Sequence, residues 1–206
     1  MSSNIGIIDY GAGNLQSVVN AFKFVGFEAK LVKNADELAK FDKAVLPGVG
    51  AFGLAINRLK ELSMDEAIKE FVKSGKPFLG ICLGMQLLFD ESDEFGVSKG
   101  LGLISGRVKK FNEAEFKTPL KIPHIGWNGL NFTRQTALNA NLGASEYLYF
   151  VHSYHVVCEP KFVLATSEYG YEFISAVCAD NIYGFQPHPE KSSDAGLKIL
   201  RNFGRL

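Results

Sequence analysis

The first part of the chain alternates short apolar runs with helical patterns, and this alternation restricts the fold more than any other feature. Strands that alternate with helices pair in parallel through right-handed crossovers. The sequence therefore predicts an α/β fold with an open, mostly parallel sheet and helices on both faces. The apolar runs span residues 5–8, 27–31, 44–46 and 77–81, and apolar residues recur at helical spacing over 15–25, 55–62 and 65–74.

The second half of the chain has a different pattern, because short β-type runs there are linked by Gly, Asn and Pro. We expect these runs to form an antiparallel extension of the same sheet. A closing helix over 194–203 is predicted, with its N-cap near Ser193. No linker divides the chain, and its 206 residues suit one domain over 1–206. The β-type runs span residues 100–111, 146–158, 162–167, 173–178 and 182–186.

The charge balance argues against two classes of partner. With 22 basic and 22 acidic residues, the chain has no net charge that would attract nucleic acid or an anionic membrane. No apolar run approaches the roughly 20 residues of a membrane span. Residues 1–4 lead directly into the first strand and do not resemble a signal peptide. We therefore expect a cytoplasmic protein.

The cysteines and glycines argue against bound metals and cofactors. Cys82, Cys158 and Cys178 are odd in number and far apart, so they predict neither a disulfide framework nor a zinc site. Gly11-Ala12-Gly13 lacks the third glycine of a dinucleotide fingerprint, because position 16 is glutamine. We expect no metal and no cofactor. His124, His152 and His155 are expected to be structural, hydrogen-bonded histidines.

One cysteine lies in a glycine-flanked turn, Gly80-Ile81-Cys82-Leu83-Gly84, after a buried strand and before residues 85–89, which read as the start of a helix. This is the pattern of a nucleophile elbow with cysteine in place of serine. Such a tight turn leaves little space for neighbouring side chains and favours glycine. On this segment alone, a small buried cysteine without a chemical role is an equally good interpretation.

A second segment, Gln186-Pro187-His188-Pro189-Glu190, follows the last predicted strand. In extended backbone, His188 and Glu190 point to the same side, so the carboxylate can hold the imidazole. His188 would then take the thiol proton of Cys82 and later protonate the leaving group, while Glu190 fixes the tautomer. The alternative interpretation is a surface His-Pro turn.

Together, the elbow and the His-Pro-Glu segment resemble the class I, or triad, glutamine amidotransferases, and the resemblance runs from the first strand to the last helix. It implies the single-domain fold of that family and a Cys82-His188-Glu190 triad that releases ammonia from L-glutamine. The chain departs from the family at Pro187, where an aromatic residue is common. Because proline lacks a backbone donor and constrains Gln186, we expect the approach of the strand to His188 to differ slightly.

Further segments resemble one branch of that family, the glutaminase subunits of histidine biosynthesis. The resemblance implies a heterodimer with a (β/α)8-barrel cyclase or synthase subunit, which uses the ammonia to make imidazole glycerol phosphate. Three alternatives stay open: a related subunit that feeds surface-sugar amidation, a noncatalytic binding module and a stand-alone cysteine hydrolase. The segments that carry the resemblance are residues 8–14, 46–53, 100–103, 123–128 and 188–192.

Site residues follow from these segments. We expect backbone N–H groups from two segments to form the oxyanion hole. One is the glycine-rich turn after the third strand, Gly48, Val49 and Gly50, and the other is Leu83, directly after the nucleophile. The family implies that residues 48–50 reorient when the partner is occupied. It also implies that Gln86, Glu94, Ser153 and Tyr154 bind glutamine, although Glu94 stands in a charge run that is otherwise typical of a solvated surface.

The resemblance also assigns a partner interface. Trp127, in a Pro- and Gly-rich segment that reads as a loop, would be a core residue by default, but the resemblance places it at the mouth that faces the synthase. The interface residues are Asn14, Pro123, Trp127, Tyr149 and Lys191.

Overall fold

The computed structural model describes residues 4–206, so most of the N-terminal segment in which no signal peptide was expected lies outside the described residues. Within 4–206, no helix is both long and apolar enough to cross a membrane. The strands are β1 Asn4–Ile8, β2 Glu28–Val32, β3 Lys43–Gly48, β4 Phe78–Cys82, β5 Phe89–Ser92, β6 Ser98–Lys99, β7 Ile104–Lys110, β8 His124–Phe132, β9 Ser145–His152, β10 Tyr154–Cys158, β11 Val163–Tyr169, β12 Tyr171–Ala179 and β13 Ile182–Phe185. The α-helices are α1 Leu15–Phe24, α2 Ala35–Leu38, α3 Phe52–Glu61, α4 Met64–Lys73, α5 Leu83–Gln86 and α6 Ser193–Arg205.

The strands form one mixed sheet in the order β2-β1-β3-β4-β13-β12-β10-β7-β5-β6, with β11 joined to β12 and followed by β8 and β9. The pairs from β2 to β13 are parallel, and β12 begins a mainly antiparallel extension, in which β5 and β7 pair in parallel. The predicted fold class is therefore confirmed. In the register of β3 and β4, Gly48 lies opposite Cys82, so the predicted oxyanion segment and the elbow leave the sheet side by side.

Helices cover both faces of the parallel strands. Successive residues of a strand point to opposite faces. Ala44 and Leu46 of β3 accordingly pack in the cluster that includes α3 and α4, whereas Val45 packs in the cluster that includes α1 and α6. Burying a Leu, Ile or Phe side chain contributes about 1.5–3 kcal/mol, so these two clusters fix the strand ends that carry the site.

The prediction that residues 85–89 begin a longer helix was wrong. α5 is a single turn, and the chain enters β5 at Phe89. Every residue from Met85 to Phe89 is buried, so the segment has no polar face that a surface helix could turn to solvent.

Three other details differ from the sequence predictions. Trp127 does not stand in a loop, because residues 124–132 form β8. The predicted run 146–158 is two strands that are interrupted at Ser153. The N-cap predicted near Ser193 falls one residue earlier, on Ser192, whose side chain makes no capping hydrogen bond, and Ser193 is the first residue of α6.

Candidate active site

Cys82 stands at the end of β4 on a strained turn. Its φ of 56° and ψ of −113° are unusual for a residue with a side chain. The turn is possible because residue 84 is glycine, since a Cβ there would overlap the Leu46 carbonyl oxygen. Residue 80 is glycine for a similar reason, because its Cβ would lie 2.6 Å from the Gly84 oxygen. The predicted elbow geometry is present, and the thiol is buried but lines a cavity.

His188 and Glu190 lie together just beyond β13. The His188 Nδ1 and the Glu190 Oε1 are 2.8 Å apart, and both side chains are almost completely buried. Because a carboxylate only accepts, Nδ1–H is the donor, which directs Nε2 away from Glu190. The flanking backbone is also held: Gln186 N donates to Ser175 O and His188 N donates to Tyr149 O, each at 2.9 Å. Pro187, between them, therefore interrupts neither bond.

The charge state of His188 depends on its two neighbours. Burial lowers the pKa of the imidazole, but interactions with Cys82 and then Glu190 outweigh it and raise the pKa from 6.5 to about 10. Nε2 is buried and makes no hydrogen bond of ordinary length within residues 4–206. The imidazole therefore stands between the sulfur and the carboxylate, with its free nitrogen available for proton transfer.

A cavity of about 250 Å³ opens beside Cys82. It brings together the elbow, most of the predicted oxyanion segment and the predicted glutamine-binding residues, whereas Gly48 is buried and does not line it. A volume of this order suits a small molecule. The lining residues are Val49, Gly50, Cys82, Leu83, Gln86, Glu94, Val151, His152, Ser153 and Tyr154.

Two of the predicted glutamine-binding side chains already have protein partners. Gln86 Nε2 donates to Tyr154 O at 3.1 Å and to Gln186 Oε1 at 3.0 Å. Glu94 Oε2 accepts from the backbone N–H of Phe52 at 2.6 Å, the first residue of α3. The Glu94 carboxylate therefore holds the start of the helix that follows residues 48–50.

The three other histidines form hydrogen bonds, as expected. His152 Nδ1–H donates to Tyr154 O at 2.8 Å, so its Nε2 accepts from His124 Nδ1 at 3.0 Å. His155 Nε2 bonds the Tyr171 hydroxyl at 2.9 Å. Burial is the first cause that lowers the pKa of all three, to about 4 for His124 and His155 and about 3 for His152. All three are therefore neutral at pH 7.

The predicted interface residues all have exposed surface, and two of them are neighbours. Trp127 of β8 is opposite Tyr149 of β9, with ring centroids 6.2 Å apart, and about half of the Trp127 surface is exposed. Lys191 ends a 3₁₀ turn that contacts α1, which begins directly after exposed Asn14. Pro123 is exposed immediately before β8.

Three residues of the site carry no role in the sequence analysis. Gln186 is fully buried and donates its side-chain amide to Cys82 Sγ at 3.7 Å. Tyr10 is buried, and its hydroxyl has no hydrogen-bond partner within residues 4–206. Ser192 links Tyr149 N to His188 O. Each had a sequence signal, because Gln186 stands two residues before His188 at the end of a strand, and Tyr10 and Ser192 stand in two of the segments that carry the resemblance.

A cysteine elbow and a hydrogen-bonded His-Glu pair, at the carboxyl edge of a helix-covered sheet, define a class of enzymes. The chain belongs to the class I glutamine amidotransferase family, whose sequence pattern matches residues 6–205. It is 54% identical over 200 residues to imidazole glycerol phosphate synthase subunit HisH of Sulfurimonas denitrificans, and the aligned region covers 97% of this chain and 96% of that protein. It is 50% identical over 212 residues to the subunit of the same name from Helicobacter hepaticus, and the aligned region covers 97% of this chain and 96% of that protein.

A solved structure supports the fold independently. The structure described as PurLQS from Thermotoga maritima matches with a TM-score of 0.77 and covers 98% of each chain. Its sequence identity to this chain is 20%, so the likeness concerns the fold alone.

Proposed function

We propose that the chain is the glutaminase subunit of an imidazole glycerol phosphate synthase in histidine biosynthesis. The observation that carries the proposal is the Cys82 elbow beside the buried His188-Glu190 pair, in a chain whose curated relatives at about 50% identity have that subunit name. The expected location is the cytoplasm, where a free thiol such as Cys82 stays reduced.

In the proposed reaction, the thiol proton of Cys82 resides on His188 Nε2 before the attack, in keeping with the raised pKa of the imidazole, and the resulting thiolate attacks the side-chain amide carbon of glutamine. The C–N bond then breaks as His188 gives its proton to the departing nitrogen. Ammonia is released, and a γ-glutamyl thioester remains on Cys82. Water, deprotonated by His188, attacks the thioester, so that glutamate is released and the thiol is restored. Glu190 orients the imidazole and stabilises its positive charge throughout.

Backbone donors stabilise the tetrahedral intermediates in this scheme. We assign the Leu83 N–H, directly after the nucleophile, and residues Gly48 to Gly50 to the oxyanion hole. Val49 and Gly50 are exposed, and Gly50 has a φ of 97°, so this peptide segment has the freedom to reorient. Isolated subunit should therefore hydrolyse glutamine slowly, and binding of a synthase with an occupied nucleotide site should accelerate hydrolysis by orders of magnitude. Full activity without the partner would contradict a switchable hole.

Glutamine itself would be bound by its amino acid end. Glu94 offers a carboxylate to the substrate ammonium, and Gln86 keeps its side-chain oxygen free, because its amide nitrogen already donates to two protein acceptors. Ser153 and Tyr154 supply backbone groups along the opposite wall.

The partner that we propose is a (β/α)8-barrel cyclase subunit, to which ammonia passes without entering bulk solvent. The rim formed by Asn14, Pro123, Trp127, Tyr149 and Lys191 is the proposed contact surface. An alternative acceptor, a synthase for surface-sugar amidation, is less favoured because the relatives reported above carry the histidine-pathway name.

The proposal is tested with the complex of this chain and the barrel synthase. Cys82→Ala should abolish glutamine-dependent formation of imidazole glycerol phosphate and leave ammonia-dependent formation intact. Cys178→Ala is the matched control, because Cys178 is also a free, largely shielded thiol but lies outside the cavity. Glutamine hydrolysis near the wild-type rate in the Cys82 variant would remove that residue from the mechanism. Failure to make imidazole glycerol phosphate from ammonia, with hydrolysis intact, would indicate another acceptor.

A further inference from the structure

The buried Gln186 side chain contacts the proposed nucleophile on a side that the triad does not occupy. Its Nε2 lies 3.7 Å from Cys82 Sγ, and the side chain has no exposed surface. A buried amide must use its hydrogen-bonding groups, because leaving one unpaired is costly. The contact is therefore a defined part of the site and not a chance approach.

The surrounding hydrogen bonds fix which end of the amide faces the sulfur. Tyr154 O can only accept, so the Gln86 atom that bonds it must be Nε2. The same Nε2 has a second hydrogen, which goes to the Gln186 side chain at 3.0 Å. The Gln186 atom that receives it must be Oε1, and therefore Gln186 presents its N–H group to Cys82. The polarity does not depend on a chosen amide orientation.

The other groups around the sulfur show why this donor matters. Cys82 Sγ lies 3.9 Å from Val151 O, a carbonyl that can accept from a thiol but repels a thiolate. The titratable groups that interact with Cys82 are His188 and Tyr10. His188 acts as the base, so its charge changes during the reaction, whereas the amide of Gln186 is a neutral donor at every step.

We infer that Gln186 is a positioning residue of the hydrolysis, which holds and stabilises the Cys82 thiolate by donating its side-chain N–H, with Gln86 fixing its orientation. This inference rests on the proposed function, because it assigns a role toward the proposed nucleophile. It also gives Gln86 a second task beside glutamine binding. A hydrogen bond to the charged form of a group favours that form, so loss of the donor disfavours the thiolate.

The test is the pH dependence of Cys82 alkylation by iodoacetamide, followed by mass spectrometry in the full chain with Cys158 and Cys178 replaced by serine. Gln186→Met, which keeps size but has no donor, should move the midpoint upward by about half a unit to one unit and slow alkylation at pH 7 by about three- to tenfold. Gln86→Met, which leaves Gln186 unsupported, should cause a smaller shift in the same direction. Gln135→Met, at an exposed position, should leave the profile unchanged.

A purely structural role would lower stability without moving the midpoint, so urea unfolding is measured in parallel. An unchanged alkylation profile in folded Gln186→Met overturns the inference. If that variant does not fold, an unchanged profile in Gln86→Met overturns it instead. Both outcomes are separable from failure of the proposed function, which would show as residual glutamine hydrolysis in Cys82→Ala.

Discussion

The backbone of Tyr149 holds His188 directly. The Tyr149 carbonyl accepts the His188 N–H at 2.9 Å, and the Tyr149 N–H donates to Ser192 Oγ, which in turn donates to His188 O at 2.6 Å. Tyr149 lies beside Trp127 on the rim that we propose as the synthase contact. The proposed base is therefore hydrogen-bonded to a strand, β9, that also carries a residue of the proposed interface, and a displacement of that strand would displace the imidazole.

The first prediction concerns the serine in this link. Ser192→Ala leaves the Tyr149 N–H without its acceptor and removes the donor to His188 O, so unfolding free energy should fall by about 1–3 kcal/mol. kcat for glutamine hydrolysis by the complex should fall, while KM changes little, because His188 and not the substrate pocket is loosened. Ser17→Ala in α1 is the control and should be neutral or slightly stabilising. Equal kcat in wild type and Ser192→Ala would show that this link does not position the base.

Much of this site could be predicted from sequence because it depends on local pattern. The alternation of strands and helices, the glycines around Cys82 and the two-residue spacing of His188 and Glu190 are each visible within a few residues. Those features indicated the parallel half of the sheet and the three residues of the proposed triad.

Other features depend on contacts between distant segments. Strand β8 was missed because Pro123, Gly126 and Gly129 break its pattern, and its pairing with β9 defines it. Residues 85–89 are apolar except for Gln86, and periodicity cannot separate a buried helix from a buried strand in so short a run. The Gln186–Cys82 contact joins residues 104 positions apart, so no local pattern announces it.

The second prediction is a loss of stability at alkaline pH. The folded-state pKa of His188 is raised to about 10 from 6.5, so the native state holds its proton more tightly than the unfolded chain. The resulting stabilisation is fully present below pH 6.5 and is lost as pH rises from 6.5 through 10. Glu190→Gln removes one of the interactions that raise this pKa. The unfolding free energy of the variant, measured by urea titration, should therefore fall less between pH 7 and 9.5 than that of the wild type. Glu113→Gln, at an exposed position, should retain the wild-type slope, and an equally steep slope in Glu190→Gln would contradict the assignment.

The third prediction tests the elbow. A Cβ at position 84 would overlap the backbone oxygen of Leu46, and neither β3 nor the elbow can shift without disturbing the other. Gly84→Ala should therefore cost about 3 kcal/mol or more, or prevent folding, as measured by chemical denaturation. Gly129→Ala is the matched control, since the nearest atom to its new Cβ is Ser145 Oγ at 3.7 Å. Comparable unfolding midpoints for the two variants would disprove the close approach.

The fourth prediction concerns Tyr10, whose buried hydroxyl has no partner within residues 4–206. Burial, and then the nearby Cys82, raise the pKa of this phenol, so it stays neutral at pH 7. Tyr10→Phe removes an unpaired polar group and no hydrogen bond, so stability should be unchanged or rise by about 1 kcal/mol. Tyr169→Phe provides the contrast, because that hydroxyl donates to Lys121 O at 2.6 Å and its loss should destabilise the protein. A clear loss of stability in Tyr10→Phe would reveal a partner for its hydroxyl.

The last prediction tests the proposed interface. A relay of ammonia works only if the mouth of the glutaminase is sealed against the synthase, because ammonia that reaches neutral solvent is protonated. Trp127 offers the rim a large aromatic surface, and exposed Lys191 offers a charge to an acidic residue of the barrel. Trp127→Ala should therefore weaken association by about 2–4 kcal/mol or lower the product formed per glutamine hydrolysed, whereas Lys191→Ala should mainly reduce the association rate and its salt dependence.

The matched control is Phe24→Ala, because Phe24 is also an exposed aromatic but ends α1, which runs away from the carboxyl edge of the sheet. Binding, as affinity and association rate at low and high salt, is measured by surface plasmon resonance, and coupling by the ratio of product to glutamate. Phe24→Ala should match wild type in both. If Trp127→Ala and Lys191→Ala also match wild type in both, the synthase binds another face, and the link from Tyr149 to His188 serves the fold of the site alone.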